Sequence, residues 1–558
     1  MRHLRGPILR GTVLAVVLLG LIAPIVVGLA ETTRAAFGQL PALGYAGWSL
    51  EPWRMLLDQP GFVTSLRLTL VTGVGATLVA LALAVGFCAA GAGRMRWLAP
   101  FLAVPHAAMA VGLAFVLAPS GWIARVFAAL LGWDQPPGMA SVHDGWGMAL
   151  LLGLVVKELP FLLLVMASGL SQLPVARQMA VGRAMGYAPG VVWIKVIWPQ
   201  LWPLIRLPVW VVLAYGLSVV DMAVILGPSN PPTLAVAVVR WFNAADVAMI
   251  LPAAAGALVQ TAVVVEAVAA LCGAEVVLRR VGLWWLRRGG RGWSWGPGLR
   301  VAQGGVGGLM ALATLALLSL LVWSLAWRWS FPMLWPEGWS GALWMRADWR
   351  MAMLHTLVLA AVTVTLALVL AICWLEAEED RARAPWAEAL IYLPLLVPQI
   401  GFLYGLNVVF LRAGVAGGYA AVIWGQLLFV FPYVMIALSE SWRALDARLL
   451  RVGAALGAGR WRRLFALRLP MLLRPILTAA AIGVAVSVAQ YLPTLFLGAG
   501  RIATLTTEAV TLSSGSDRRV TGVYASLQAA LPFAAYGLAA LIPAWWHRDR
   551  RDLRGGAV

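Results

Sequence analysis

The sequence predicts an all-α polytopic membrane protein of about twelve transmembrane helices. They form two homologous six-helix halves, related by a pseudo-two-fold axis along the membrane normal. Three observations carry this. Apolar runs of about 20 residues, the length a helix needs to cross a hydrocarbon core, recur along all 558 residues. Charged residues make up only 12% of the chain and hydrophobic ones 62%, whereas a soluble domain is about 25% charged. Finally, the second part of the chain repeats the first. The runs are continuously apolar and do not alternate, which selects helices over a barrel.

In chain order the spans fall at 11–30, 64–90, 98–118, 147–170, 204–226, 248–271, 305–326, 353–374, 388–410, 421–440, 475–497 and 521–545. The first follows MRHLRGPILR and is long for a signal-peptide core, so it is read as a retained helix. With the N-terminus inside, 29 of the 42 Lys and Arg fall on the cytoplasmic side. That bias places both termini in the cytoplasm, and it accounts for the net charge of +19 without nucleic acid. The 29 tryptophans gather near span ends, as interfacial anchors do. Cys88, Cys272 and Cys373 lie in apolar segments as packing residues, and the five histidines are scattered, so neither set has metal-ligand spacing. The external segments are too short for a folded domain. A substrate-capturing domain would be a separate protein.

A basic, Gly-rich stretch at 279–304 joins a first half, 1–278, to a second, 305–558. Shifting the chain by 271 residues brings Ala176-Arg177 onto Ala447-Arg448, Val181-Gly182 onto Val452-Gly453, Gly186 onto Gly457 and Pro199 onto Pro470. A slightly different shift brings VPHAAMAVGLAF (104–115) onto VPQIGFLYGLNV (397–408). Six spans separate equivalent points, so the halves share one orientation.

The repeat centres on two cytoplasmic loops, about 172–203 and 441–474. In the second, DARLLRVGAAL suits a helix, Gly457 can take a positive φ and end it, and an amphipathic piece WRRLFALRL follows until Pro470 interrupts it. Small residues at 453–455 allow close approach by a partner. Arginine–lipid contacts at the membrane surface would explain the charge, but not the recurrence of glycine and proline thirteen residues apart in both halves.

This pattern resembles the coupling loop, or EAA loop, of binding-protein-dependent ABC importer permeases. That loop reads E-A-A, three residues, G, an aliphatic ten residues on, and proline at thirteen. The first copy has Ala180, Val181, Gly182, Gly186, Val196 and Pro199, and the second Arg451, Val452, Gly453, Gly457, Leu467 and Pro470. Both lack the glutamate, which bears on an ionic contact more than on a docking shape. The resemblance spans nearly the whole chain. It is to the fused, double-length permeases of the thiamine and ferric-iron group, and the tail QYLPTLFLGAGRIATLTTEAV (490–510) is most similar to YnjC-type members. It implies two copies of a cytoplasmic ABC ATPase, which carry the ATP and Mg²⁺, and a periplasmic solute-binding protein. This chain itself is expected to hold no cofactor and to be no enzyme. Independently, a P-loop needs G-x-x-x-x-G-K-[ST], and the only lysines, Lys157 and Lys195, are followed by Glu158 and Val196.

Charged groups within spans are costly and are candidates for function. Lys157-Glu158 falls in the fourth span, where neighbouring side chains point to different faces. Asp221 falls in the fifth, and Gln490 and Tyr491 flank its counterpart. Glu158, Asp221, Gln490 and Tyr491 are the candidate substrate path, with interhelical hydrogen bonding as the other reading. Pro105 and Pro398 are placed to kink matching spans. Three classes of function remain open. They are the ABC importer permease, an ion-gradient-driven transporter of two parallel halves, and a membrane enzyme or scaffold. The third lacks any nucleophile or paired-carboxylate motif. The second gives no reason for matched glycine–proline loops. The substrate itself is not legible.

Overall fold

The computed structural model describes residues 5–41, 44–91, 98–292, 296–346, 348–378, 385–515 and 517–548. The centre of the predicted linker, 293–295, and the basic chain ends, 1–4 and 549–558, lie outside the described residues. The principal helices are α1 (Arg5–Ala36), α2 (Phe62–Ala89), α3 (His106–Leu117), α4 (Trp122–Leu131), α5 (Met148–Ser171), α6 (Val175–Ala184), α7 (Trp198–Ser218), α8 (Asp221–Leu226) and α9 (Ile250–Arg287). They continue with α10 (Gly296–Leu325), α11 (Trp349–Glu378), α12 (Gln399–Arg412), α13 (Tyr419–Ala444), α14 (Ala447–Ala455), α15 (Leu473–Ala489), α16 (Leu492–Gly498) and α17 (Arg518–Trp546). The strands are a short antiparallel pair, β1 (Ala326–Arg328) and β2 (Gly338–Trp339), directly after α10.

Among the described residues, ten helices are long and apolar enough to cross a membrane. The number is twelve if two bent pairs each count as one span: Ala389–Leu395 with Gln399–Arg412 (96°), and Arg460–Met471 with Leu473–Ala489 (75°). Every predicted span has a counterpart, and the fold is all-α and polytopic. The first bend sits at Pro398, which caps α12 in extended backbone (φ −55°, ψ 129°). Pro105 caps α3 in the same way (φ −62°, ψ 148°). Proline excludes its predecessor from helical backbone and cannot donate to the carbonyl four residues back, so both chains turn there.

Three boundaries depart from the sequence expectation. The spans at 204–226 and 475–497 are not continuous. The first breaks at Val219-Val220 before the short α8, and the second at Gln490-Tyr491 before α16. Composition stays apolar through both breaks, so hydropathy does not register them. The linker at 279–304 is also shorter than expected, because α9 runs on to Arg287 and α10 begins at Gly296.

Two long helices, α1 and α10, each pack closely on a helix distant in the chain. α1 lies on α12 so closely that a Cβ at Gly405 would collide with the Gly28 carbonyl oxygen and stand 2.9 Å from Thr32 N. α10 lies on α3, where a Cβ at Gly112 would collide with the Ala316 carbonyl, and Ser319 Oγ donates to Gly112 O at 3.1 Å. Gly112 and Gly405 are the glycines matched in VPHAAMAVGLAF and VPQIGFLYGLNV. Small residues let helix backbones meet where lipid gives no hydrophobic drive. Gly405→Val is therefore expected to destabilise the chain by about 1–3 kcal/mol, read as a lowered unfolding temperature in detergent. An unshifted transition would refute the contact.

Candidate functional site

The two basic loops share one backbone design. α6 ends at Gly186 (φ +80°) and α14 at Gly457 (φ +81°). In each, the left-handed glycine closes the helix with two backbone hydrogen bonds. Gly186 N–H reaches Arg183 O (2.9 Å) and Tyr187 N–H reaches Gly182 O (3.0 Å). Gly457 N–H reaches Ala454 O and Ala458 N–H reaches Gly453 O, both at 3.0 Å. This cap satisfies carbonyls that the helix end leaves open.

The chain then turns back through a short helix and one π turn, Trp193–Ile197 in the first loop and Leu464–Arg468 in the second. Pro199 and Pro470 follow directly. A proline ring in helix clashes with the carbonyl four residues back, here Lys195 and Ala466, and the wider π turn sets that carbonyl aside. The returning segment presses on the first at Gly182, where a Cβ would collide with Val192, and at Gly453, where it would stand 2.8 Å from Leu467. Apolar side chains remain exposed on this arginine-rich surface. Val181 and Val452 are 54% and 58% exposed, and Met185 and Leu456 are 58% and 81%. These exposed apolar groups fall at matched positions of the two loops.

The loops are anchored differently. The second is tied to the end of α11, where Glu376 accepts from Arg468 (2.8 Å) and Arg460 (3.3 Å). Glu378 accepts from Arg443 (3.0 Å) and Trp374 Nε1 (2.8 Å). The Arg468 guanidinium also lies 4.6 Å from the Trp442 ring centroid. The first loop rests on the end of α9 and the chain after it. Lys195 Nζ donates to Gly290 O (3.0 Å) and stands 4.4 Å from the Trp285 ring, and Ala188 N–H reaches Arg291 O (3.0 Å).

A cavity of ≈ 410 Å³ is lined by residues of both parts of the chain. His106, Lys157, Glu158, Tyr215 and Asp221 come from the first, and Gln399, Tyr433, Gln490, Tyr491 and Tyr536 from the second. All four path residues picked from sequence line it. Lys157 and Glu158 do not pair with each other. The Lys157 ammonium donates to the carbonyls of Phe101 (3.2 Å) and Leu102 (3.3 Å). Pro105 has no N–H to offer Phe101 O, so the carbonyl is open to the lysine. Glu158 Oε1 lies 3.3 Å from His106 Nε2, which gives that histidine its partner. Tyr215 donates to Asp221 Oδ1 at 3.4 Å, and its ring lies 4.5 Å from His106. Gln490 is buried, and its Oε1 has no hydrogen-bond partner among the described residues. The breaks before α8 and α16 bring Asp221 and Gln490 to the cavity. Broken helices occur at membrane depth where they line a cavity. Sequence reasoning passed over Tyr215, Tyr433 and Tyr536, which reach the cavity from helices distant in the chain.

A helical membrane protein with two matched basic loops and a cavity at its helix breaks, where a few polar side chains converge among apolar ones, has the build of a membrane transport protein. The comparisons with known proteins give the family. The chain is 32% identical over 524 residues to the inner membrane ABC transporter permease protein YnjC of Escherichia coli (strain K12), covering 91% of this chain and 93% of that protein. It is 26% identical over 140 residues to the molybdenum transport system permease protein ModB of Haemophilus influenzae, covering 23% of this chain and 61% of that one. No family model matches the chain. The chain belongs to the ABC transporter permeases. It is a multi-pass membrane permease subunit of an ABC importer, a transport subunit. The gradient-driven reading is set aside by this kinship.

Proposed function

We propose that this single chain supplies both halves of the importer's membrane path, residues 1–278 and 305–558, as in the fused permeases of the thiamine and ferric-iron group. Each basic loop docks one copy of a cytoplasmic ATPase, so two copies bind. ATP and Mg²⁺ are held, and ATP hydrolysed, on those partners. Both termini lie in the cytoplasm, and a periplasmic binding protein delivers the solute to the opposite face. The observation that carries this reading is the recurrence, 271 residues apart, of a left-handed glycine cap, a π turn and a proline with exposed apolar side chains beside them. Closure of two ATPases against two such elements would rock the halves between inward- and outward-facing states. The test is gentle purification of the tagged chain from its own membranes, with quantitative mass spectrometry. Two copies of a P-loop ATPase per chain are expected. A chain that emerges alone, under conditions preserving other such complexes, overturns the reading.

The cavity is the substrate path in this proposal, with Glu158, Asp221, Gln490 and Tyr491 touching solute in passage. Four tyrosines and two carboxylates around it supply both apolar faces and hydrogen-bond acceptors. Asp221→Asn keeps the side chain's volume and removes its charge. The loss of one charge-assisted contact, about 1.5–3 kcal/mol, should weaken transport about ten- to hundredfold, with membrane levels unchanged. Uptake kinetics with the cognate binding protein check this. Unchanged kinetics would assign Asp221 to helix packing.

A further inference from the structure

The face opposite the basic loops carries a recess of ≈ 680 Å³ that the transport reading does not use. It forms where the chain between α3 and α4, the end of α10 with β1, and the start of α17 meet. α5 separates it from the first basic loop by 24 residues of helix, about 36 Å. Four arginines line it, Arg125, Arg328, Arg518 and Arg519, with Asp517 the one carboxylate among the lining residues. Two of the four are neutralised. Arg519 grips Asp517 through two 2.9 Å hydrogen bonds, and Arg328 lies 3.2 Å from Glu337.

Arg125 and Arg518 have no carboxylate partner among the described residues. Arg125 is only 2% exposed. Backbone carbonyls hold it, those of Ser120 (2.9 Å), Ser330 (2.7 Å) and Met333 (2.6 Å), and it lies 4.7 Å from the Trp329 ring. Carbonyls satisfy its N–H groups without cancelling its charge. Arg518 donates to Ser120 Oγ (3.0 Å) and lies 5.4 Å from the Trp323 ring, so both guanidinium groups meet at one serine. A guanidinium has five N–H donors, and that serine is the sole acceptor Arg518 finds among the described residues. Two adjacent, unneutralised cations beside a polar recess leave an anion-shaped deficit, since a buried charge is costly without a counter-charge.

The recess also lies at a membrane boundary. It sits at the ends of two spans, Gly298–Leu325 and Arg518–Trp546, and Trp323, Trp327 and Trp329 line it. Tryptophan concentrates at the headgroup level.

We infer that this recess binds a phosphate-bearing anion, with Arg518 as its direct ligand and Arg125 as the charge behind it. The guanidinium fork matches phosphate oxygens, and the headgroup of an anionic phospholipid is the form that boundary supplies.

The test uses the full chain, purified and stripped of lipid by detergent exchange. Native mass spectrometry follows binding of phosphatidylglycerol and, as the neutral comparison, phosphatidylcholine. One phosphatidylglycerol is expected to bind in preference, with affinity about tenfold lower in Arg518→Gln. Arg518→Lys, which keeps the charge but not the fork, should fall between and serves as the second variant if the glutamine form does not fold. A parallel arm adds inorganic phosphate. If phosphate displaces the lipid and raises the unfolding temperature of the wild type but not of Arg518→Gln, the site stands and its natural occupant is a free anion. Equal phosphatidylglycerol binding by the wild type and the Arg518 variants overturns the assignment.

Discussion

Gly457→Trp is expected to cut the ATPase recovered with the chain at least tenfold while leaving the chain in the membrane at its normal level. Apart from its chain neighbours, nothing among the described residues lies within 4 Å of where a Cβ at Gly457 would stand, so a side chain there starts into open space. It projects from the apex of the loop, beside the exposed Leu456, into the space a docked partner would occupy. The remaining cost inside the chain is conformational. At φ +81° an L-residue is disfavoured by about 1–2 kcal/mol, which a packed membrane protein tolerates. Gly457→Ala separates the two effects, since it carries the same backbone strain without the bulk and should retain most of the ATPase. Gly186 has the same φ and the same open surroundings, so Gly186→Trp reports on the first loop alone. Full recovery of the ATPase with both tryptophan variants would remove the docking role from these loops.

That pair of glycines was legible in the sequence because the physics behind it is local. A left-handed cap needs glycine, an interrupted helix follows proline, and the spacing between them fixes one helical hairpin. The π turns were not legible, since they arise from fitting Pro199 and Pro470 to the helix that each follows. The kinks at Pro105 and Pro398 were visible for the same local reason as the glycine caps. The breaks at Val219-Val220 and Gln490-Tyr491 were not, because an apolar run reads alike whether its backbone continues or turns. Polarity alone pointed to Glu158, Asp221, Gln490 and Tyr491. It could not show that Tyr215, Tyr433 and Tyr536 close the same cavity, because their convergence depends on how distant helices pack. Twofold similarity also hid a difference. The second loop is tethered by carboxylates and the first by Trp285, Gly290 and Arg291. Glu376 gave one signal, an acidic run EAEED (376–380) among basic segments, and its partners lie 84 and 92 residues on.

Glu376→Ala is the second large effect, and here the reason is burial. Glu376 and Arg468 are both buried and pair at 2.8 Å, with Arg460 adding a bond at 3.3 Å to the other carboxylate oxygen. Desolvation can offset most of the attraction within such a pair, so its net worth is modest. Removing one partner is a different matter, since taking a carboxylate from a buried guanidinium costs up to about 3–5 kcal/mol. Glu376→Ala is therefore expected to lower the unfolding temperature in detergent by several degrees and to loosen the second loop, visible as faster amide exchange across 460–471. The first loop uses other anchors and should keep its exchange rates. Glu376→Gln keeps a hydrogen-bond acceptor but no charge, and should recover only part of the loss. A double variant, Glu376→Leu with Arg468→Met, removes both charges and should lie closer to the wild type than Glu376→Ala does. If Glu376→Ala and the wild type unfold together, the ion pair does not anchor the loop. If the double variant is instead the least stable, the pair contributes net attraction beyond the cost of its own desolvation.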